Sequence, residues 1–156
     1  MGKSFTATTV RSLQKEIMRR ANATLKKQVT PYVEDKLKQH VQSDVYNTYS
    51  PVEYDRRKNN GGLTDDSNIV DNIRDGQLKV WNKAPTDPPK LQHKEYNNPD
   101  GLARLIEEGA HNPWNYKKYR WTRPRPFVTN TQADINYRHA TINEMLKNGI
   151  EGGDSK

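Results

Sequence analysis

The sequence predicts an α+β fold: a long or kinked N-terminal helix, a small antiparallel sheet, a short helix and a C-terminal helix. Three observations carry this prediction. Apolar residues recur at helical spacing over residues 9–47, the pattern changes to strict alternation after Asn68, and helical spacing returns near the C-terminus. At 156 residues, one domain over residues 1–149 is the expectation, followed by a flexible tail over residues 150–156.

The first helix is expected to start at Val10, with Thr8 or Thr9 as its N-cap. Two apolar sets follow, and the second keeps a strict spacing of four that turns it away from the first on a straight helix. Pro31 lies between the sets, so the pattern predicts either two helices or one helix kinked there. The first set comprises Val10, Leu13, Ile17, Ala21 and Leu25; the second comprises Val29, Val33, Leu37, Val41 and Val45.

The stretch from Asp44 to Asp66 is predicted to be the corner between helix and sheet. Pro51 ends the helix because it lacks an N–H and restricts Ser50. Residues tolerant of positive φ then allow a sharp reversal. The residues expected to shape this corner are the tyrosines Tyr46, Tyr49 and Tyr54 and the glycines Gly61 and Gly62.

The sheet is predicted to be a hairpin. Residues 69–74 and 78–82 alternate, and Asp75-Gly76 between them is typical of a two-residue turn. The proline-rich stretch 84–99 is expected to be an extended loop that forms interaction surface or is flexible.

The C-terminal part is predicted to hold a short helix, a strand and a last helix. Gly109 is expected to terminate the short helix, and residues 116–125 to form an edge or terminal strand. Phe127 precedes the last helix, capped by Thr131 or Asn130, and is expected to be buried where sheet meets helix. Gly149 is expected to close that helix.

Two motifs, together with the corner, carry a resemblance. The segments are Val45–Arg57, Ile106–Gly109 and Arg123–Phe127. A helix ending in Val-Tyr-x-x-Tyr-x-Pro-x-x-Tyr-x-Arg-Arg, then Glu-x-Gly, then Arg-Pro-Phe before a helix, resembles the neck (head–tail joining, or tail-completion) proteins of tailed bacteriophages. The resemblance covers about residues 8 to 148.

The resemblance implies a virion structural protein at the head–tail junction, assembled in the host cytoplasm. Members of that family form a closed ring that links the portal-side connector to the tail. The implied partners are further copies of the chain, portal or connector proteins, tail tube or tail terminator proteins, and the genomic DNA in the channel. No catalysis, metal or cofactor is implied.

Charge opens alternatives to that reading. The chain has a net charge of +7, and residues 1–40 hold nine lysines and arginines against three acids. These charges predict either a solvated face or a basic surface for an acidic partner or DNA. A basic nucleic-acid-binding module is therefore the alternative function, and a chaperone or adaptor for capsid proteins is a third. Residues 116–121 interleave aromatic and basic side chains, which also suits single-stranded nucleic acid.

Residue chemistry gives little indication of catalysis. The chain has no cysteine, its four histidines are scattered, and it has no phosphate-binding or nucleophile motif. Asp65-Asp66-Ser67-Asn68 lacks the glycine and glutamate of a calcium loop and is expected to be a turn. No stretch is long and apolar enough to span a membrane.

The candidate functional residues are basic and are expected to contact neighbouring subunits or partners. The apolar set from Val10 to Leu25 is expected to bury against the sheet, which leaves the basic flank of the helix free. The candidate acceptors for the arginines are Asp65, Asp66, Glu107 and Glu108. The candidate interface residues are Arg56, Arg57, Arg123 and Arg125 near the corner and Lys15, Arg19 and Lys26 on the helix.

Overall fold

The computed structural model describes residues 9–48, 57–86, 101–109 and 123–152. It shows the expected α+β architecture, with a long N-terminal helical run and a two-stranded antiparallel sheet. Within the described residues, no helix combines the length and apolarity needed to cross a membrane. The helices are α1 (Val10–Thr24), α2 (Thr30–His40), α3 (Gly101–Glu108), α4 (Phe127–Tyr137) and α5 (His139–Gly152), and the strands are β1 (Ile69–Arg74) and β2 (Gln77–Asn82).

The N-terminal helical run is continuous from Val10 to Tyr46. Thr9, one of the two N-caps that the sequence predicts, caps it reciprocally with Ser12. Two π-helical turns, Leu25–Val29 and Val41–Tyr46, interrupt the α-helical hydrogen bonding. The first ends two residues before Pro31, and the run stays helical through the proline.

The π turns explain how apolar residues at strict spacings of four remain on one side. On an α-helix each step of four drifts by about 40°, whereas a π turn takes up one extra residue. In the second π turn Val41, Val45 and Tyr46 are all buried, because the wide turn brings residues four apart and residues five apart to the same side. Leu25, Val29 and the adjacent Thr30 are likewise buried around the first π turn.

The hairpin forms as predicted, with Arg74 paired to Gln77 across the turn. Asp75 and Gly76 have φ values of 50° and 76°, which a two-residue hairpin turn requires and which Gly76 tolerates without strain. Lys26 reaches β1 from the helical run, where its Nζ lies 2.8 Å from Asp71 Oδ2. The hairpin therefore lies along the N-terminal helix.

The C-terminal part differs from the prediction at four points. The last helix begins at Phe127, not at Asn130 or Thr131, and divides into α4 and α5 around Arg138. Gly149 does not close the last helix, because α5 continues to Gly152 and so includes the first residues assigned to the tail. The described end of the predicted strand, residues 123–126, is irregular, and the rest of that strand lies outside the described residues.

The helices α4 and α5 run back antiparallel along the N-terminal run. Asn130 Nδ2 donates to Asp44 at 2.9 Å, and Lys36 Nζ lies 3.3 Å from Asp134. Further along, Arg20 Nη1 donates to the Ile150 carbonyl at 2.9 Å. As residue numbers rise in α4 and α5, the contacted residues of the run therefore fall.

The main apolar cluster lies at one end of this layout, which we call the body. It comprises α2, the second π turn, residues 57–86, α3 and α4. We call the pair α1 and α5 the arm, and neither helix contributes a residue to the cluster. The buried members of the main apolar cluster are Leu37, Val41, Val45, Tyr46, Leu63, Ile69, Ala84, Ala103, Ile106 and Phe127.

Candidate assembly surfaces

The two downstream motifs of the resemblance meet in the body. The Arg125 N–H donates to the Ile106 carbonyl at 2.9 Å, and Ile106 and Phe127 are both buried in the apolar cluster. Gly109, with a φ of 78°, ends the short helix in the left-handed conformation as expected. Segments separated by a stretch of chain are thus joined through backbone and core.

Glu107 fixes the start of α4. Its carboxylate accepts the Val128 N–H at 2.8 Å and the Thr129 N–H at 3.0 Å, and it also accepts the Thr129 hydroxyl at 2.6 Å. These N–H groups have no partner within the helix, and the negative charge lies at the positive end of the helix dipole. Glu107 therefore acts as a cap supplied from another helix, a role that its sequence neighbourhood does not indicate.

A cleft of about 370 Å³ opens beside these motifs. The irregular segment Arg123–Pro126 forms one side, and the end of the N-terminal helical run forms the other, with Asn130 between them. The two predicted interface arginines of this segment, Arg123 and Arg125, both line the cleft. Arg123 is exposed and Arg125 is half-buried. The remaining lining residues are Ser43, Asp44, Thr48, Pro124 and Pro126.

Asp44 supplies the negative charge of the cleft. Burial raises its pKa, but hydrogen bonds from Ser43, Asn130 and His40 outweigh burial and hold the pKa below the ordinary value. Asn130 Nδ2 donates at 2.9 Å and Ser43 Oγ at 2.6 Å. The cleft thus combines an ionised carboxylate on one wall with two arginines on the other.

Of the two corner glycines, Gly61 takes the positive φ that the predicted reversal uses, whereas Gly62 allows a close backbone approach. Gly61 has a φ of 76°, and its N–H donates to Asp65 Oδ2 at 2.6 Å. A side chain on Gly62 would overlap the backbone of Lys58, with the added carbon 2.6 Å from the Lys58 nitrogen. Tyr46 is buried, whereas Tyr49, Pro51, Tyr54 and Arg56 lie outside the described residues.

Arg57 contacts its own chain. Its Nη2 donates to the Pro85 carbonyl at 2.7 Å and to the Thr86 carbonyl at 3.3 Å, which ties the corner to the segment after β2. Its predicted role between subunits stays a prediction, and the structure gives it a stabilising role inside the subunit. The arginine at position 123 is therefore the cleaner probe of assembly.

The four acids predicted to receive arginines already have partners in their own chain. Glu107 caps α4, and Glu108 pairs with Arg104 at 3.1 Å. Asp65 accepts the Ser67 N–H at 2.9 Å and caps a short 3₁₀ turn, and hydrogen bonds from Ser67 and Gly61 lower its pKa. Asp66 pairs with Lys38. The segment from Asp65 to Asn68 is thus a turn, as the sequence predicts.

The basic flank of α1 is only partly neutralised. Arg19 Nε lies 2.9 Å from Glu16, and Lys26 pairs with Asp71. Hydrogen bonds from Arg19 and then Arg20 lower the pKa of Glu16 to about 2. Lys15 is exposed and forms no ion pair with any part of the chain that the structure describes.

The expectation that the apolar set of α1 buries against the sheet is wrong for its first three members, whereas its last member, Leu25, is buried. Val10, Leu13 and Ile17 remain 74%, 45% and 43% exposed. The reason is geometric: α1 packs along α5, and the hairpin reaches it only near its turn, where Met18 approaches Gly76. The turns of α1 that precede these contacts therefore keep an exposed apolar edge.

Among the described residues, no cluster of histidines and acids could hold a metal ion. The family model named YomN matches residues 9–151 of the chain. Searches of curated proteins and of solved structures found no match.

Proposed function

Because the chain belongs to the YomN family, whose name derives from SPbeta-like prophages, we propose that it is a structural protein of the phage neck. In this proposal, copies of the chain form a ring that joins the portal-side connector to the tail, and the genome passes through it. The ring assembles in the host cytoplasm and remains in the virion.

One observation carries the proposal. The motifs Glu-x-Gly and Arg-Pro-Phe, on which the resemblance to neck proteins rests, converge through the Arg125–Ile106 hydrogen bond and the Glu107 cap of α4. Two motifs that contact each other at one junction of the fold support an architecture shared with neck proteins more strongly than two short motifs that lie far apart in the structure. Beside that junction lies the cleft with Arg123 and Arg125, a polar surface suited to a carboxylate-bearing neighbour.

The arrangement of acids also favours assembly over chemistry. Glu107 and Glu108, two adjacent carboxylates, are engaged by the α4 N-terminus and by Arg104 respectively. A carboxylate that accepts two backbone N–H groups stabilises a helix and is poorly placed to exchange protons with a substrate.

The proposal is tested by locating the protein and measuring its oligomer. Mass spectrometry of purified particles is expected to find the chain, and native mass spectrometry with electron microscopy is expected to show a closed ring, alone or on the connector. A protein that is absent from particles and strictly monomeric with purified connector would contradict the proposal.

Arg123→Ala tests the cleft within that experiment. Arg123 is exposed, so its loss is expected to leave the circular dichroism spectrum unchanged and to weaken the oligomer at least about tenfold. Arg74→Ala is the matched control, because the Arg74 side chain is 88% exposed at the hairpin turn. Equal assembly of the two variants would show that the cleft is not an interface.

The nucleic-acid-binding alternative is separated by salt. A module that neutralises six or more phosphates is expected to lose about 10³–10⁵ in affinity for DNA between 50 and 200 mM salt. A ring held by apolar and hydrogen-bonded contacts is expected to keep its mass over the same range. The pairing of Arg19 with Glu16 and of Lys26 with Asp71 reduces the charge available for phosphate and favours the ring.

A further inference from the structure

The first turns of α1 project beyond their nearest helical neighbour. The antiparallel partner α5 contacts α1 at two places. Gly149 lies next to Thr24, and the Arg20 side chain donates a hydrogen bond to the Ile150 carbonyl. Helix α5 then ends at Gly152. The turns from Val10 to Ile17 lie further toward the free end of the helix. This explains why their apolar side chains remain 43% to 74% exposed.

The projecting side chains are spaced as anchors. Val10, Leu13 and Ile17 stand at positions i, i+3 and i+7, so they lie within about 60° of one another around an α-helix. Helices that bind by laying one apolar face into a groove use this spacing. Met18 lies beside these residues on the surface of α1, is 44% exposed and extends the apolar edge.

The rim of this edge is positive. Arg11 and Lys15 are exposed, and neither forms an ion pair with any described residue. The nearest acid of the helix, Glu16, is already bound by Arg19 at 2.9 Å and by Arg20 at 2.7 Å. A partner that covers the apolar edge therefore meets two unmatched positive charges beside it.

We infer that the first turns of α1 insert into an apolar groove, rimmed with aspartate or glutamate, on a different protein of the phage particle. The identity of that partner as a particle protein rests on the proposed function, while its chemistry follows from the edge itself. An acidic rim matches Arg11 and Lys15 and leaves no buried cation without a counter-charge. A symmetric pairing with α1 of a second copy brings the positive rims together, which is unfavourable.

The test places a photo-crosslinking amino acid at Leu13 during phage infection, with the same residue at Gln132 as the control. Gln132 is exposed on α4, far along the chain from the edge. The expected result is a crosslink from position 13, and not from position 132, to another phage protein at an apolar segment bordered by acidic residues. A crosslink to a second copy of this chain or to DNA, or no crosslink, overturns the inference.

Substitutions measure the contribution of each feature. In a binding assay with the crosslinked partner, Leu13→Ser with Ile17→Ser is expected to raise the Kd at least about tenfold. Val128→Ser is the matched control, since Val128 is 42% exposed at another place. Arg11→Glu with Lys15→Glu is expected to slow association and to raise the Kd, with Lys147→Glu as the charge control. Equal effects of test and control variants overturn the inference.

The outcomes separate this inference from the proposed function. A protein absent from particles, but crosslinked from position 13 to an acidic groove of another phage protein in the infected cell, contradicts the neck proposal and supports the docking edge. A ring found in particles whose position 13 reaches no other protein does the reverse.

Discussion

The body and the arm of this protein bury apolar residues very differently. The body holds every member of the main cluster, including the fully buried Phe127 and Val41. In the arm, Thr24 is the one buried residue of α1, and α5 has none among its described side chains. Burial is the dominant stabilising term in folding, so the body is expected to fold autonomously and the arm to depend on it.

Polar contacts and close approach hold the arm together instead. Arg20 links Glu16, at 2.7 Å, with the Ile150 carbonyl at 2.9 Å, and Gly149 lets α5 approach Thr24. Such contacts give less free energy than apolar burial and leave apolar surface exposed. Of the seven large apolar residues that are exposed among the described residues, four lie on α1, and they are Val10, Leu13, Ile17 and Met18.

Removing a core side chain is the largest expected effect. Phe127→Ala deletes a fully buried ring and is expected to cost about 3–5 kcal/mol of unfolding free energy. Urea denaturation followed by circular dichroism measures it. Val128→Ala, one residue later and 42% exposed, is expected to cost less than about 1 kcal/mol. Similar losses for both variants would contradict the division between body and surface at this helix.

The sequence predicts the features that depend on local chemistry. The hairpin turn follows from Asp75-Gly76, the helix start from Thr9, and the burial of Phe127 from its place after Pro126. In each case the deciding residues are neighbours in the chain. Backbone preference and side-chain type are then sufficient.

Features that depend on distant residues are missed. The α4 cap comes from Glu107, about twenty residues before the helix, and nothing near Phe127 signals it. The sequence predicts that the apolar edge of α1 is buried, because its apolar spacing is that of a core helix. Only the point at which α5 ends shows that this edge is uncovered. The strict spacing of four before Val45 is, in retrospect, the one local signal of π turns.

A substitution in the contact between α1 and α5 is expected to destabilise the arm and to leave the body unchanged. In Gly149→Ala, the new carbon would lie 2.6 Å from Thr24 Cγ2, and this overlap is expected to cost about 1–3 kcal/mol. That outweighs the roughly 0.5–1 kcal/mol that alanine gains over glycine inside a helix. Hydrogen exchange is expected to quicken in α1 and α5 and to stay unchanged in the body.

Two further variants sharpen that result. Gly152→Ala, with no atom near the added carbon, is expected to be neutral or slightly stabilising. Combining Gly149→Ala with Thr24→Ala removes the overlapping methyl, so the double variant is expected to lose less than the sum of the single losses. Strict additivity would show that Thr24 is not the obstacle.

The cap of α4 is expected to contribute a smaller amount to the body. Glu107→Gln keeps the size of the side chain but removes its charge from the helix N-terminus, and is expected to cost about 1 kcal/mol. Glu108→Gln is the matched control, because the exposed pair of Glu108 with Arg104 is expected to contribute less than about 0.5 kcal/mol. If Glu108→Gln lowers the unfolding free energy as much as Glu107→Gln does, the stabilising effect assigned to the Glu107 cap is wrong.

The smallest expected effect is a pH dependence confined to the arm. The hydrogen bonds from Arg19 and Arg20 lower the pKa of Glu16 from 4.5 to about 2. Its stabilising effect is therefore fully present above pH 4.5 and is lost as the pH falls toward 2. Hydrogen exchange in α1, measured from pH 6 to 2.5, is expected to differ between the parent protein and Glu16→Gln by an amount that shrinks over this window. In 1 M salt, where charges are screened within about 3 Å, the difference is expected to be reduced at every pH. A difference that is independent of both pH and salt would show that Glu16 acts in the arm by its shape and not by its charge.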